Sequence, residues 1–275
     1  MMKLICTGVQ SAHPVMLDFL LRPGRITKYS PSFNGFRHLI ALYQRLLPAG
    51  ATFRINDFDR DLRLDVNIQE TIGISLWHYP DLYEREERKV FCAAVTSGCT
   101  VLDVGANIGI YTLLAAKRGA RVFAVEADPA NAAALRHHVA LNGFSERVTV
   151  FEMAATECAK AVPLYRNPKN SGGSNLFRGQ PSGTVEGGTL DSLALPPIDV
   201  CKMDIEGSEL MALAGMRKTL ERSPNLQLLI EYSREFGNGE ALLEYLRANF
   251  SRVQVIGGAG GEMPPLCNLL ATKTS

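Results

Sequence analysis

Beyond residue 98 the chain alternates short apolar runs with amphipathic stretches, the pattern of a parallel sheet covered by helices on both faces. The runs predict seven strands, Val101 to Val104, Arg121 to Glu126, Val148 to Met153, Val200 to Ile205, Leu226 to Glu231, Arg252 to Ile256 and Asn268 to Thr272. Between them the spacing predicts helices at Tyr111 to Lys117, Pro129 to Asn142, Ser208 to Leu220 and Gly239 to Asn249. Asp128 before Pro129 is a strong helix start, because an aspartate caps free N–H groups and proline lacks the N–H that would go unpaired.

The first part of the chain has a different texture. Phe36, Leu39, Ile40, Tyr43, Leu46 and Leu47 fall on one helical face that Pro48, Ala49 and Gly50 end. From Thr52 the order changes to alternation, with Phe53, Ile55, Leu62, Leu64 and Val66 separated by charges, which predicts a hairpin. Its dense charges of both signs, Arg54, Asp57, Asp59, Arg60, Asp61, Arg63 and Asp65, read as a solvated face. Residues 167–189 are rich in glycine, serine and asparagine without a buried-face period, and read as a long loop, a lid or a linker. The expected division is residues 1–70 as a helical and hairpin extension and 71–275 as the α/β domain.

Composition narrows the classes. A content of 46% hydrophobic and 21% charged residues is that of a globular protein, and a formal charge of +1 provides no global basic field for nucleic acid or an anionic membrane. Six scattered cysteines lack a Cys-x-x-Cys pair, and the five histidines form no metal-spaced cluster, so reduced thiols and no metal are expected. No secretory leader and no run approaching a bilayer span is visible in the sequence, which gives the expectation of a cytoplasmic protein with a small-molecule partner.

The sharpest local signal is Val101-Leu102-Asp103-Val104-Gly105-Ala106-Asn107-Ile108-Gly109, a strand running into a glycine turn and a helix. Gly105 permits a tight turn, and Gly109 lets the helix pack closely on the sheet. Glu126 ends the second strand 21 residues after Gly105, where an acidic residue in this architecture binds a ribose diol. A dinucleotide fingerprint needs a second glycine where Asn107 stands and a third that is absent, so close pyrophosphate contact is disfavoured. Asp103 would repel a diphosphate and attract an ammonium group, which points to S-adenosylmethionine.

A second constellation, Lys202-Met203-Asp204-Ile205-Glu206-Gly207-Ser208-Glu209, closes the fourth strand. Ligands of open α/β sheets lie outside the carboxyl ends of the strands, which puts Asp204 and Glu206 toward a reacting group as candidate catalytic residues. Glu209 reads as a capping residue, and Lys202 as an ion-pair partner of a strand-end carboxylate or a snorkelling residue. Glu231, closing the fifth strand, is a substrate-side candidate. His78, among Trp77, Tyr79 and Tyr83, is a second, with aromatic packing as its other reading.

These residues together resemble the FkbM-type S-adenosylmethionine-dependent methyltransferases. Val101 to Gly109 matches an Asp-x-Gly-Ala-Asn-x-Gly signature, and Lys202 to Glu209 is similar to Lys-Ile-Asp-Val-Glu-Gly-x-Glu. Thr189-Leu190-Asp191-Ser192-Leu193 and Tyr83-Glu84 are further echoes, with Arg85 standing where the family often has proline. The resemblance covers roughly residues 72–272. It implies a class I methyltransferase (Rossmann-like) doubly wound sheet of strand order 3-2-1-4-5-7-6, and methyl transfer to a hydroxyl of a sugar or polyketide-type natural product. Glu84 is carried over as a cofactor contact, and Ala106, Ala127 and Ala155 are expected to complete the cofactor set. The rival expectations are a nicotinamide-dependent oxidoreductase and a non-catalytic cofactor-binding module.

Overall fold

The structure, a computed structural model, describes residues 50–167, 171–177, 179, 181–258 and 263–273. The helix expected over Phe36 to Leu47 lies outside the described residues. The described residues open with a hairpin of β1 (Thr52–Phe58) and β2 (Leu62–Asn67), followed by helices α1 (Thr71–His78) and α2 (Arg85–Ala94). The α/β portion then runs β3 (Thr100–Val104), α3 (Ile110–Lys117), β4 (Arg121–Glu126), α4 (Pro129–Leu141) and β5 (Val148–Glu152). Three short strands follow, β6 (Ala154–Ala155), β7 (Lys160–Tyr165) and β8 (Pro181–Gly188). The chain continues through β9 (Val200–Met203), α5 (Glu209–Ala214), α6 (Arg217–Arg222), β10 (Gln227–Ser233), α7 (Gly239–Asn249), β11 (Arg252–Val255) and β12 (Leu266–Thr272).

The central sheet has the order β11-β12-β10-β9-β3-β4-β5. Counted along this sheet alone, that is the expected 3-2-1-4-5-7-6. Its strands pair in parallel except β12, which is antiparallel to both β10 and β11. Strands buried on both faces explain the nearly continuous apolar runs. Val101, Val122, Ala124, Val200 and Leu229 feed one apolar layer, whereas Leu102, Val104, Phe123, Cys201, Met203, Leu228 and Ile230 feed the other. Chain order reverses direction between β3 and β9, so their carboxyl ends open the crevice where such sheets bind ligands.

Ile55, Phe58, Leu62, Leu64 and Val66 of the hairpin are buried in the same apolar layer as Val101 and Leu113. The hairpin charges form the expected solvated face, with Arg54, Asp57, Arg60, Asp61 and Arg63 exposed, and some of them also make ion pairs. Lys117 of α3 pairs with Asp59 and Asp61, Arg118 with Asp59, and Asp65 with Arg54 and His137.

Two sequence expectations are corrected. Residues 181–188, read as loop, form β8, antiparallel to β7 and parallel to β6; its side chains are largely exposed, so no buried-face period marks it. The single helix expected from Ser208 to Leu220 is two, because Asp191 accepts hydrogen bonds from the N–H groups of Lys218 and Thr219 and from the Thr219 hydroxyl, starting a new helix there. Helix α4 starts as expected, with the Asp128 carboxylate accepting from the Ala130 N–H at 2.8 Å.

Candidate active site

The crevice is built on a close backbone crossing. Gly105 has φ +79°, and a Cβ placed there would stand 1.9 Å from the Asp204 carbonyl oxygen, so only glycine lets β3 turn beneath the end of β9. The N–H groups of Gly105 and Ala106 both donate to the Val125 carbonyl, at 2.9 and 3.1 Å, which binds the turn to the end of β4. Glu126 completes that link. Its Oε2 accepts from the Asn107 N–H and its Oε1 from the Asp128 N–H, both at 2.8 Å. Burial pushes this carboxyl up to about 7, against the backbone N–H groups that favour its charged form.

Two cavities meet across this turn. The narrower is walled by Glu126, Ala127, Asn131, Met153, Ala155, Leu164, Leu176 and Ser208. The Ser208 hydroxyl on its wall is buried and has no hydrogen-bond partner among the described residues. The wider cavity, of about 250 Å³, is walled by Tyr83, Glu84, Asp103, Ala106, Tyr111, Lys202, Glu206 and Glu231. Gly105, Asn107, Gly172 and Asp204 line both.

The wider cavity is acidic. Asp103 at its floor is buried, accepts from the Thr112 hydroxyl at 2.6 Å, and is pushed up to about 6 by burial. Lys202, also buried, donates to Asp204 at 2.9 Å and Asn268 at 3.3 Å and lies 5.3 Å from the centre of the Tyr111 ring. Burial works against its charge, but the carboxylates of Asp204 and Glu84 outweigh it and hold the ammonium above its usual range. Tyr111 donates its hydroxyl to Glu84 at 2.7 Å. Burial, then Asp204 and Glu209, push Glu206 up to about 7; burial, then Asp204 and Glu206, push Glu231 well above the usual carboxylate range.

Asp204, Glu206 and Glu231 each present a carboxylate oxygen within 4.8 Å of the others, a spacing that one metal cation or one positively charged organic group could span. Glu209 turns back instead, accepting from the Ile205 and Gly207 N–H groups at 3.1 and 3.2 Å, the capping role expected of it.

Of the residues singled out in the sequence, Glu84, Asp103, Gly105, Ala106, Asn107, Glu126, Ala127, Ala155, Asp204, Glu206 and Glu231 therefore wall the two cavities. Gly109 lines neither. A Cβ there would stand 2.5 Å from Leu135 Cδ1, so it serves helix packing. His78 lines neither cavity, and the substrate role expected of it is corrected: it is buried at the end of α1 beside Tyr79, where the aromatic cluster packs. Sequence reasoning missed Tyr111, Asn131, Met153 and the strap Gly172, Ser174, Asn175 and Leu176. The strap's only signal was the length of the loop expected there.

The chain is 29% identical over 161 residues to an arginine N(omega)-methyltransferase of Streptomyces achromogenes subsp. streptozoticus, covering 54% of this chain and 45% of that protein. It thus spans less than half the length of that curated relative. Among solved structures it is similar to methyltransferase FkbM from Methylobacillus flagellatus KT, at 19% identity and a TM-score of 0.47, covering 76% of this chain and 56% of that one. It is also similar to an rRNA methylase from Streptococcus thermophilus, at 14% identity and a TM-score of 0.46, covering 68% and 95%. No helix among the described residues is long and apolar enough to cross a membrane. The methyltransferase FkbM domain matches residues 103–253, from the buried Asp103 at the end of β3 through both acidic strand ends and into β11, and with more than half of its length so matched the chain belongs to the FkbM methyltransferase family.

Proposed function

We propose that the chain binds S-adenosylmethionine across Gly105–Asn107 and methylates a nitrogen of a cationic, guanidinium-class small molecule held by Asp204, Glu206 and Glu231. The carrying observation is the pair of cavities joined at Gly105 and Asp204, one largely apolar with Glu126 at its edge, the other acidic. The donor set fits the cofactor. Met153, Ala155 and Leu164 offer apolar walls for a purine, the Ser208 hydroxyl is a buried group in need of a partner, and Glu126 is placed for ribose hydroxyls. Glu84 and Asp103 suit the cofactor's ammonium group.

When bound, this cofactor supplies an electrophilic methyl group on a sulfonium. The protein's part is to align the acceptor, exclude water and take the acceptor's proton. Lys202 holds Asp204 in place. Glu206, whose carboxyl is pushed up to about 7, is the proton acceptor near neutrality. With the cofactor's ammonium group facing Glu84 and Asp103, Lys202 is the only cation among the described residues of this cavity to face Asp204, Glu206 and Glu231, an imbalance that a positively charged acceptor offsets. That the relative from Streptomyces methylates arginine supports the same choice.

A hydroxyl of a sugar or polyketide-type compound is the second reading, favoured by Glu206, whose raised proton affinity near neutrality suits a general base for an alcohol. Calorimetry with S-adenosylhomocysteine and with NAD tests the cofactor, and binding of NAD alone overturns it. Incubation with a labelled methyl donor and a panel of guanidines, amines, sugars and macrolide-like alcohols tests the acceptor. Label on nitrogen supports the first reading and label on oxygen the second; cofactor binding with no label transferred favours a non-catalytic module.

A further inference from the structure

The outer edge of β2 meets two side chains one turn apart on the face of α4. Asn142, just beyond the helix, accepts from the Arg63 N–H through Oδ1 and donates to the Arg63 carbonyl through Nδ2, both at 2.8 Å. His138, four residues earlier, faces Asp65, whose N–H lies 3.0 Å and whose carbonyl 3.1 Å from Nε2. Two residues along a strand advance about 6.6 Å and four along a helix about 6 Å, so helix and strand edge stay in register.

The other ring nitrogen of His138 reaches the cofactor loop. Nδ1 lies 2.7 Å from the carbonyl of Ile108, between Asn107 and Gly109. That carbonyl can only accept, so Nδ1 carries the hydrogen, and in the neutral ring Nε2 accepts from the Asp65 N–H. A second proton would cost the Asp65 N–H its acceptor, though the Nε2–H so formed has the Asp65 carbonyl 3.1 Å away and Nδ1 keeps its bond to Ile108. The ring is 1% exposed. Burial lowers its proton affinity, against the carbonyls of Ile108 and Asp65 that raise it. The titratable groups facing it are the Asp65 carboxylate on β2, bound by Arg54 of β1 and by His137 at 2.8 Å, and the His137 ring on α4, 5.5 Å away between centroids.

We propose that His138 is a positioning residue for the cofactor loop: its neutral imidazole fixes the Ile108 carbonyl, and through it the Asn107 N–H that meets Glu126, coupling the hairpin to the cofactor site through one ring. This deepens the reading of Gly105–Asn107 as the cofactor cradle and rests on it. The Nδ1–H bond to Ile108 is made whether or not Nε2 carries a second proton, so the positioning acts through the ring's place and not its charge.

The test is the dissociation constant of S-adenosylhomocysteine at pH 8 in the wild type, His138→Phe and Asn142→Ala. Failure of the wild type to bind removes the cofactor reading itself. Given wild-type binding, the expected result is weaker binding by at least about fivefold in His138→Phe, the value of one lost hydrogen bond. Asn142→Ala, which loosens the same strand edge without touching Ile108, keeps the wild-type constant. Wild-type affinity in His138→Phe overturns the proposal. Should that variant not fold, ¹⁵N and ¹H NMR of the wild-type imidazole decides: a hydrogen on Nδ1 whose resonance shifts on saturation with S-adenosylhomocysteine is expected, and an unshifted resonance overturns the proposal.

Discussion

The Lys202 ammonium lies 2.9 Å from the Asp204 carboxylate beneath the acidic cavity, with only 2% of the lysine side chain exposed and 30% of the aspartate. Removing one member of such a pair leaves the other charge poorly compensated, and here Asp103 and Glu84 lose the same cation. Lys202→Met is expected to lower the unfolding free energy by about 3 kcal/mol at pH 8 and by less at pH 6, where the stranded carboxyls take up protons. Urea unfolding at the two pH values checks this. An equal loss at both would mean that the lysine stem, not its charge, holds the site.

Gly105 and Gly109 both have positive φ, +79° and +100°, yet their surroundings differ. A Cβ at 105 meets the backbone oxygen of Asp204, which belongs to a paired strand end, whereas at 109 it meets the far end of a leucine that can move. Gly105→Ala is therefore expected to abolish the folded state or cost at least about 4 kcal/mol, and Gly109→Ala about 2 kcal/mol. Thermal unfolding orders the two; equal losses would show that the crossing of β3 beneath β9 yields more easily than its geometry indicates.

The parallel strands were legible in the sequence because Val101 to Val104 and Val200 to Met203 are buried on both faces and read as apolar runs interrupted only by Asp103 and Lys202. Helices α1 and α2 were not. The first carries Gly73 and Ser75 among its apolar residues, and the second, with Arg85, Glu86, Glu87, Arg88 and Lys89, fully buries Phe91 alone. At the site, Asp103, Glu126, Asp204, Glu206 and Glu231 were readable since each lies in the last residues of a strand or just past it, at the carboxyl edge where such sheets bind ligands. Tyr111 was hidden inside an apolar helix, and Asn175 and Leu176 arrive only when Tyr165 pairs with Asn175 across the strap. His78 carried two readings because a cluster of aromatic residues signals packing as readily as a cleft, and its burial beside Tyr79 fits packing.

Glu206 ties acidity to stability. Its carboxyl is pushed up from 4.5 to about 7 by burial and then by Asp204, so the folded protein binds this proton more tightly than the unfolded chain. The resulting stabilisation is complete below about pH 4.5 and is lost as the pH rises through about 7. Glu206→Gln, neutral throughout, is expected to raise the melting temperature relative to the wild type at pH 8, with the gain shrinking toward pH 5, and to lose most methyl transfer. A gain of the same size at both pH values would trace it to packing instead of charge.

Asp128 is 4% exposed and accepts both the Ala130 N–H of its own helix and the guanidinium of Arg166 at the end of β7. From Arg166 the chain runs into the strap whose Gly172, Asn175 and Leu176 wall the narrower cavity, and Tyr165 and Asn175 exchange backbone hydrogen bonds of 2.9 and 3.0 Å. The forked ion pair thus fastens the strap to the helix that follows Glu126. A two-pronged contact to a buried carboxylate exceeds a simple surface pair, though Arg166 is 42% exposed and solvent screens part of it. Arg166→Ala is expected to speed dissociation of S-adenosylhomocysteine by roughly fivefold with little change in association, and Arg166→Lys, which keeps the charge but not the fork, to fall between. Stopped-flow displacement measures both rates. An unaltered dissociation rate in Arg166→Ala would show that the strap holds its place through Tyr165 and Asn175 without the latch.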